Sequence, residues 1–288
     1  MIKIMTAEQW KQKGNFIKLF NNEVFVIDEG KNNDKTMVIL HGYPTSSYDY
    51  FKVLDRLTSE YRVIIHDHLG FGFSDKPQNY SYSLIEQADI ALELWKKLGI
   101  MECTLLAHDY GTSVATEILH RHNFNQINLT INELILCNGS MHIELSQLRL
   151  IQKLLKNKYT GKHVAKLSNE FIFTKNIRNV YHDKSQATND ELKEMWQQLM
   201  YNDGKKVIHR LSNYINERYF FWHRWIGALK ETQLRTKIVW AKNDPVAVFK
   251  IAELLASEIK NNTLLPLENS GHFPMLESPE RWVNLVLG

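Results

Sequence analysis

The feature that most constrains this chain is an alternation of short apolar runs with amphipathic segments. Four continuous apolar runs are typical of strands buried on both faces: 36–40, 61–65, 102–107 and 131–137. Three segments with helical periodicity lie between or after them: 46–58, 84–98 and 111–120. Parallel neighbouring strands need a crossover connection, which is usually a helix. The alternation therefore predicts a parallel sheet with helices on both faces.

The pattern changes after Asn138, where about ninety residues have helical periodicity without a convincing buried strand. Four further strand signals complete the predicted sheet: 16–19, 24–27, 236–240 and 262–265. The first two are separated by Asn21-Asn22, which indicates a hairpin. The sequence therefore predicts an eight-stranded, mostly parallel sheet with a helical insertion between strands 6 and 7.

Composition excludes several classes of protein. The formal net charge is +3, which is too small to favour nucleic acid or an anionic membrane as a partner. The first ten residues lack the apolar core of a signal peptide, and no apolar stretch is long enough for a membrane span. Both cysteines, Cys103 and Cys137, lie in predicted strands, so we expect buried thiols. We expect a cytoplasmic protein, either a monomer or a homodimer.

The segment around Asp109 has the form of a nucleophile elbow, a tight turn between a strand and a helix. Small residues stand two positions before and two positions after it, Ala107 and Gly111, because backbones approach closely in such a turn. The following helix directs its positive end at Asp109, which favours a carboxylate. A carboxylate can attack an sp³ carbon and form an ester with the substrate. We predict that Asp109 is a covalent nucleophile; the alternative is a simple helix cap.

The partners of such a nucleophile follow in the order acid, then histidine. Asp244 comes directly after the seventh predicted strand, and His272 lies on the loop after the last one. We predict that His272 activates water and that Asp244 orients it. Two backbone N–H groups, of Tyr43 after the first buried strand and of Tyr110 after the nucleophile, are the predicted oxyanion hole.

These segments resemble the epoxide hydrolase and haloalkane dehalogenase branch of the α/β-hydrolase superfamily, over about residues 16–287. Three further segments resemble the family of the vertebrate mesoderm-specific transcript protein and its bacterial relatives: Asn202-Asp203-Gly204, Tyr214-Ile215-Asn216 and residues 224–229. The resemblance implies an α/β-hydrolase fold with a core domain (1–141 and 231–288). It also implies a helical cap domain (142–230) over Asp109.

The resemblance implies different leaving-group donors for the two activities. Haloalkane dehalogenases hold the halide with side-chain N–H groups, but the two usual positions carry Tyr43 and Tyr110 here. Trp196 or Trp222 of the insertion would have to replace them. The insertion is rich in aromatic residues, which suits a small apolar organic substrate in a dry pocket. We expect Trp196 and Trp222 to line that pocket, with water as the second reactant.

Epoxide hydrolases use tyrosines of the cap as proton donors to the opening ring. Tyr214 matches one such position best, and Tyr159 and Tyr181 are second-choice candidates. The sequence therefore favours an epoxide hydrolase, with a haloalkane dehalogenase as the alternative.

Three other hypotheses are disfavoured. An ester or lactone hydrolase is disfavoured, because attack by a carboxylate would give an anhydride. A non-catalytic binding protein of the same fold would not need an intact set of Asp109, Asp244 and His272. The segment His66-Asp67-His68 is not expected to bind a metal, because side chains alternate between the two sides of an extended segment. No metal or other cofactor is predicted.

Overall fold

The computed structural model describes residues 4–288, so the first three residues of the N-terminal segment lie outside the described residues. Residues 4–288 form eight strands in one sheet: β1 (Asn15–Leu19), β2 (Asn22–Glu29), β3 (Thr36–Leu40), β4 (Arg62–His66), β5 (Glu102–His108), β6 (Thr130–Cys137), β7 (Thr236–Ala241) and β8 (Asn262–Leu267). The order across the sheet is β1-β2-β4-β3-β5-β6-β7-β8. The pairs β1–β2 and β2–β4 are antiparallel, and the other pairs are parallel. The predicted sheet and its N-terminal hairpin are confirmed.

Four helices precede the insertion: α1 (Ala7–Lys13), α2 (Leu54–Thr58), α3 (Leu84–Lys97) and α4 (Tyr110–Asn123). The prediction of one helix over 46–58 is wrong, because a 3₁₀ turn at Ser47–Tyr50 comes before α2. Two side chains stabilise this turn by accepting hydrogen bonds from its first two backbone N–H groups. The Ser47 N–H donates to Asp67 Oδ1 at 2.8 Å, and the Tyr48 N–H donates to Ser46 Oγ at 3.2 Å.

The chain between β6 and β7 contains no strand and forms seven α-helices, all within the described residues: α5 (Leu150–Leu155), α6 (Gly161–Leu167), α7 (Glu170–Arg178), α8 (Asn189–Met200), α9 (Ile208–Leu211), α10 (Tyr214–Phe220) and α11 (Trp222–Glu231). Three 3₁₀ turns connect parts of it: Ile143–Leu145, Lys184–Gln186 and Tyr201–Lys206. The helical insertion is therefore where the sequence predicted it. The division into a core domain and a cap domain stays a prediction.

Three helices complete the fold: α12 (Phe249–Glu258), α13 (Pro274–Glu277) and α14 (Pro279–Leu287). None of the helices of residues 4–288 has both the length and the apolar composition needed to cross a bilayer. Cys103 and Cys137 are buried and unpaired, as predicted.

The central parallel strands place the candidate site. Their side chains, such as those of Val38, Ile64 and Leu105, are wholly buried. Burial of each contributes about 1.5–3 kcal/mol to folding, which fixes the register of the strands. The carboxyl ends of parallel strands meet at one edge of the sheet, so the loops after β5, β7 and β8 converge there.

Candidate active site

Asp109 forms the turn between β5 and α4 in a strained backbone conformation. Its φ is 43° and its ψ is −107°, a region that residues other than glycine rarely adopt. A Cβ atom on Gly111 would lie only 2.2 Å from the carbonyl oxygen of Leu40, so a larger residue would push β3 and α4 apart. This is the geometry expected of a nucleophile elbow, which lifts the central side chain above the sheet.

A backbone amide of the loop after β3 holds the Asp109 carboxylate. The Tyr43 N–H donates to Asp109 Oδ2 at 3.0 Å. The Tyr110 N–H, at the first position of α4, forms no hydrogen bond within residues 4–288. An amide at the start of a helix has no partner inside the helix, so this N–H is free for an oxyanion. Both predicted oxyanion-hole residues therefore adjoin Asp109.

His272 and Asp244 form a buried pair beside Asp109. His272 Nδ1 donates to Asp244 Oδ2 at 2.7 Å, and His272 Nε2 lies 3.8 Å from Asp109 Oδ2. Burial acts to lower the pKa of His272, but the carboxylates of Asp244 and Asp109 outweigh it and raise the pKa to about 10. With both carboxylates charged, His272 is an imidazolium ion at neutral pH.

Asp244 itself is held by three further hydrogen bonds. The amides of Val246 and Ala247 donate to Oδ1 at 2.7 and 3.0 Å, and the Asn138 side chain donates to Oδ2 at 2.7 Å. Sequence reasoning missed Asn138, which lies at the end of β6 with a φ of 42°. Asn138 could have been predicted from its position directly after a parallel strand, because that places it at the same edge of the sheet as Asp244.

A buried arginine of the insertion, Arg218, also contacts the elbow and was missed. Its guanidinium donates to the Asp109 carbonyl at 2.9 Å and to Ser113 Oγ at 2.7 Å, and lies 3.7 Å from Asp109 Oδ1. Burial acts to raise the pKa of Asp109. Hydrogen bonding to His272 and the charges of His272 and Arg218 outweigh burial, and hold the pKa below its usual range. Asp109 is thus an ionised carboxylate between two cations.

The sequence contained a signal for Arg218. It stands four residues after Tyr214 on the same helix, α10, and residues four apart share a helix face. A prediction that Tyr214 faces the site therefore implied that residue 218 faces it too.

A mainly apolar cavity of about 90 Å³ lies above this group of residues. Tyr43 and His272 line one part of it, and Gln152, Phe173 and Trp196 of the insertion line another. Ligand pockets commonly enclose about 300–1,000 Å³, so a long substrate has to extend through the opening or separate the helices around it.

Tyr214 is buried beside the site, between the rings of Tyr43 and Tyr110, with ring centroids 5.2 and 5.3 Å away. Its hydroxyl oxygen accepts a hydrogen bond of 3.2 Å from Gln152 Nε2. Burial and the charge of Asp109 raise the pKa of Tyr214 well above its usual value, so the hydroxyl keeps its proton.

The structure contradicts the two second-choice tyrosines. Tyr159 is 82% exposed, because it lies in the turn between α5 and α6 on the outside of the insertion. Tyr181 is buried, but its hydroxyl donates to Glu191 Oε1 at 3.1 Å, and the residue does not line the cavity. A hydroxyl bound to this carboxylate is not available to a substrate above Asp109.

The two predicted pocket tryptophans have different positions. Trp196 lines the cavity, and its indole N–H donates to no acceptor within residues 4–288. Trp222 does not line the cavity, so the prediction for it is wrong. Its indole N–H donates to Glu144 Oε2 at 2.9 Å on the exterior, because α11 turns its first residue away from the site.

Asp67, in the segment His66-Asp67-His68, has a structural role. Its carboxylate accepts the N–H groups of Ser47 and Phe73 at 2.8 and 2.7 Å, and thereby holds two loops together. The rings of His66 and His68 pack against each other, with centroids 5.0 Å apart.

Comparisons with known proteins agree with this architecture. The profile of a family described as alpha/beta hydrolase fold matches residues 35–279. The mesoderm-specific transcript protein of Mus musculus is 37% identical over 288 residues, which cover 97% of this chain and 86% of the mouse protein. The resemblance stated from the sequence is thereby confirmed.

Two solved structures share the fold. Haloalkane dehalogenase DbeA from Bradyrhizobium elkani USDA94 has a TM-score of 0.80 and 18% identity, covering 95% of each chain. Epoxide hydrolase CorEH has a TM-score of 0.76 and 16% identity, covering 95% of this chain and 96% of that one. Identities this low indicate a common fold and do not distinguish the two activities.

Proposed function

Because this chain belongs to the alpha/beta hydrolase fold family, we propose that it is a hydrolase whose nucleophile is Asp109 and whose substrates are epoxides. One observation carries the covalent part of the proposal. The Asp109 carboxylate lies at the elbow, where Oδ2 accepts a hydrogen bond of 3.0 Å from the Tyr43 N–H and lies 3.8 Å from His272 Nε2. A capping aspartate would instead bond to the first amides of its own helix, and Asp109 has no such side-chain bond.

In the first step, Asp109 Oδ1 attacks a ring carbon of the epoxide. A new C–O bond forms, the ring C–O bond breaks, and the epoxide oxygen takes a proton from Tyr214. The product of this step is an ester between Asp109 and the substrate. Oδ2 becomes the carbonyl oxygen of that ester while it still accepts the Tyr43 N–H.

In the second step, water attacks the ester carbonyl carbon, and His272 takes the proton of that water. The oxyanion on Oδ2 is stabilised by the amides of Tyr43 and Tyr110, and its collapse releases the diol. The bond from the Asp109 carbonyl carbon to the substrate oxygen breaks, that oxygen takes the second proton of the water, and Asp109 is again a carboxylate, now with one oxygen atom from water. His272 keeps the first proton of the water, and the proton that it lost before this step has returned to Tyr214 through solvent.

The pKa of His272 explains how one residue serves both steps. The charge on Asp109 contributes to the rise of that pKa to about 10, so the histidine is protonated in the free enzyme. Ester formation neutralises Asp109 and removes that contribution, which lowers the pKa of His272. The histidine can then lose its proton and act as a base when water has to be activated.

The hydroxyl protons of the tyrosines packed beside Asp109 support an epoxide as the substrate. Ser212 has one hydroxyl proton, which it donates to the Ile208 carbonyl at 2.9 Å, so the Tyr43 hydroxyl must donate to Ser212 at 2.8 Å. Tyr214 accepts from Gln152 and has no acceptor for its own proton within residues 4–288. Tyr214 therefore keeps a proton that it can give to an opening epoxide; the buried Tyr110 hydroxyl, which also has no hydrogen-bond partner within residues 4–288, is the alternative donor.

A haloalkane dehalogenase is the second candidate, and one observation favours it. The Trp196 indole N–H points to no protein acceptor, and Trp196 lines the cavity, so it could hold a halide. The alternative second donor, Trp222, is bonded to Glu144 instead. A halide site would thus have one indole donor where two side-chain donors are usual.

Single-turnover hydrolysis in ¹⁸O-labelled water tests the covalent step. With enzyme in excess over styrene oxide, we expect the label to enter Asp109, as measured by mass spectrometry of the peptide that contains it. Asp109→Asn should lose turnover by at least a thousandfold, whereas Asp55→Asn, an exposed aspartate of α2, should not. Label found only in the diol after one turnover excludes the ester.

A panel of epoxides and haloalkanes tests the leaving group. We expect diol formation without halide release, and a loss of about a hundredfold in kcat for Tyr214→Phe, because general acid catalysis commonly contributes 10²–10⁴-fold. Tyr159→Phe is the matched control, since that side chain is exposed, and it should leave kcat unchanged. Halide release that depends on Trp196 would assign the chain to the dehalogenases instead.

A further inference from the structure

Residues 149–178, which include α5, α6 and α7, carry an unusual share of the charge of the chain. They contain eight lysine and arginine residues and one acidic residue, a net charge of +7. The whole chain has 35 basic and 32 acidic residues, so the remainder has 27 and 31, a net charge of −4. The small total charge therefore hides a strongly basic segment on a weakly acidic molecule.

Most of the positive side chains of this segment are not used to hold the fold together; the exceptions are Lys156, which donates to Asn216, and Arg178, which donates to Ala187 and Asn189. Five of its lysines are exposed: Lys153, Lys158, Lys162, Lys166 and Lys175. None of the eight basic residues forms an ion pair with any of residues 4–288. The core helix α4 differs, since Glu117 on it pairs with both Arg121 and Arg224. The five exposed lysines are thus free to bind an external anion.

Large apolar side chains are exposed among these lysines. Leu150 is 72% exposed, and Leu167 and Phe171 are both 75% exposed. Single exposed apolar residues are common, but several together mark an interaction surface. We call the exposed side chains of residues 149–178 the basic apolar surface.

The basic apolar surface lies on the segment that lines one part of the active-site cavity. Leu150, Leu167 and Phe171 are each followed in the sequence by a residue that lines the cavity, namely Ile151, Ser168 and Ile172. A partner bound to this surface therefore contacts the same helices that enclose the cavity.

We propose that the basic apolar surface docks the protein on bilayers of anionic phospholipid. The lysines contact lipid phosphates, and Leu150, Leu167 and Phe171 enter the boundary between headgroups and acyl chains. Short amphipathic helices with lysine beside leucine and aromatic residues bind bilayers in this way, and each basic residue near an anionic surface contributes about 1 kcal/mol. A nucleic acid would satisfy the lysines but leave the three apolar side chains in water.

Docking brings the segment that lines the cavity against the lipid. The cavity is small, at about 90 Å³, so the rest of a long apolar substrate can stay in the bilayer while its reactive group reaches Asp109. Delivery of a substrate to Asp109 from the bilayer rests on the proposed function. The docking itself does not, because it depends on no catalytic residue.

Vesicle co-sedimentation of the full chain tests the proposal. We expect binding to vesicles of equal parts phosphatidylcholine and phosphatidylglycerol, little binding to phosphatidylcholine alone, and release by salt, which screens the lysines. Lys158→Glu/Lys162→Glu/Lys166→Glu should bind at least a hundredfold more weakly, at about 1 kcal/mol for each lysine lost. Leu167→Ser/Phe171→Ser should bind at least about tenfold more weakly, because apolar burial is lost.

The matched control reverses three exposed lysines elsewhere, Lys96→Glu/Lys250→Glu/Lys260→Glu, with the same change in net charge. It should retain most of the binding. Equal weakening by this control, or no binding of the wild type to anionic vesicles at low salt, overturns the proposal. So does tight binding of a single-stranded oligonucleotide that Leu167→Ser/Phe171→Ser leaves intact, which would indicate a nucleic-acid surface.

Two measurements distinguish a failure of docking from a failure of the hydrolase proposal. The thermal midpoint of each variant reports folding, and ¹⁸O entry into Asp109 with a water-soluble epoxide reports chemistry. Because none of the altered residues lines the cavity, we expect both to match the wild type. Absent docking with normal labelling rejects only the surface.

Discussion

The two ends of the insertion are attached to the molecule in different ways. The inner end, α10 and α11, reaches the core through buried charged groups: Arg218 binds the Asp109 carbonyl, and Arg224 and Trp225 both bind Glu117. The outer end, α5 to α7, makes hydrogen bonds only within the insertion, such as that from Gln152 to Tyr214.

We expect the inner end of the insertion to be rigid and the outer end to be adaptable. Buried ion pairs and hydrogen bonds fix the inner end against the elbow, where a displacement of about 1 Å would disturb the nucleophile. The outer end is held mainly by apolar packing and has exposed apolar residues, so it is the part expected to open with the lower free energy. A substrate or a lipid surface can therefore move α5–α7 without moving Asp109.

The comparison predicts its largest effect at Arg218. Arg218→Met leaves the Asp109 carboxylate buried without a cationic partner on that side, and should lower the free energy of unfolding by about 3–5 kcal/mol. Urea denaturation measures this loss in the free energy of unfolding. Arg149→Met, at the start of α5, is the control and should change the free energy by about 0.5 kcal/mol or less. Equal losses for the two variants would contradict the distinction between the ends.

The second effect is expected at Glu117, which is fully buried and accepts hydrogen bonds from three side chains: Arg121, Arg224 and Trp225. Glu117→Gln removes the charge but keeps the shape. We expect a loss of about 1–3 kcal/mol, since the two arginines can still reach water. Glu170→Gln, an exposed residue of α7, is the control for urea denaturation. A loss as large at Glu170 would show that the outer end is equally constrained.

The third effect is a pH dependence that originates at the inner end. The pKa of His272 is raised to about 10 in the folded chain, from about 6.5 unfolded, so its contribution to stability is complete below pH 6.5 and lost as pH rises through 10. The slope is at most about 1.4 kcal/mol per pH unit. Asp109→Asn should reduce this slope, because it removes one of the two anions that raise the pKa of His272.

Urea denaturation between pH 7 and pH 10 measures this slope, and NMR of the His272 ring measures the pKa directly. Exposed His163→Gln, on α6, is the control and should leave the slope unchanged. An unaltered slope in Asp109→Asn would exclude coupling between Asp109 and His272. The pH dependence of stability that Asp109 contributes has the opposite sign. Because its pKa is lowered in the folded chain, its contribution to stability is present above its unfolded pKa and is lost as pH falls.

The smallest effect is expected on the basic apolar surface. Leu167→Ser/Phe171→Ser should change the free energy of unfolding by about 0.5 kcal/mol or less, because both side chains are already in water. Ile177→Ala on α7 is the control, since it is 4% exposed and should cost about 2 kcal/mol or more. A large loss in the serine variant would mean that these side chains pack against protein in solution.

Most of the sheet and the elbow could be predicted from local sequence. Each strand has its own apolar run, and the turn at Asp109 has its own small neighbours, Ala107 and Gly111, so no distant contact was needed to recognise them. The helix predicted at 46–58 failed for the opposite reason. Its first turn is held by Asp67, a residue that only the fold brings near.

The candidate site was predictable where it follows strand ends and not where it depends on the insertion. Asp109, Asp244 and His272 come from the carboxyl ends of strands, which a parallel sheet brings to one edge. Tyr159 and Trp222 were misplaced, because helical periodicity indicates which residues share a face but not which neighbour that face meets. Arg218 went unnoticed for the same reason, although it stands one turn after Tyr214.

The sequence by itself therefore determined the alternating sheet, the strained elbow and the place of each partner after a strand, because each of these depends on residues that are neighbours in the chain. Only the tertiary structure decided which side of each insertion helix faces Asp109, since that contact joins residues 109 positions apart. It also decided that the lysines of residues 149–178, on the segment that lines the cavity, form no ion pair with any of residues 4–288. Charge and hydrophobicity are local properties, but burial and pairing are set by the whole fold.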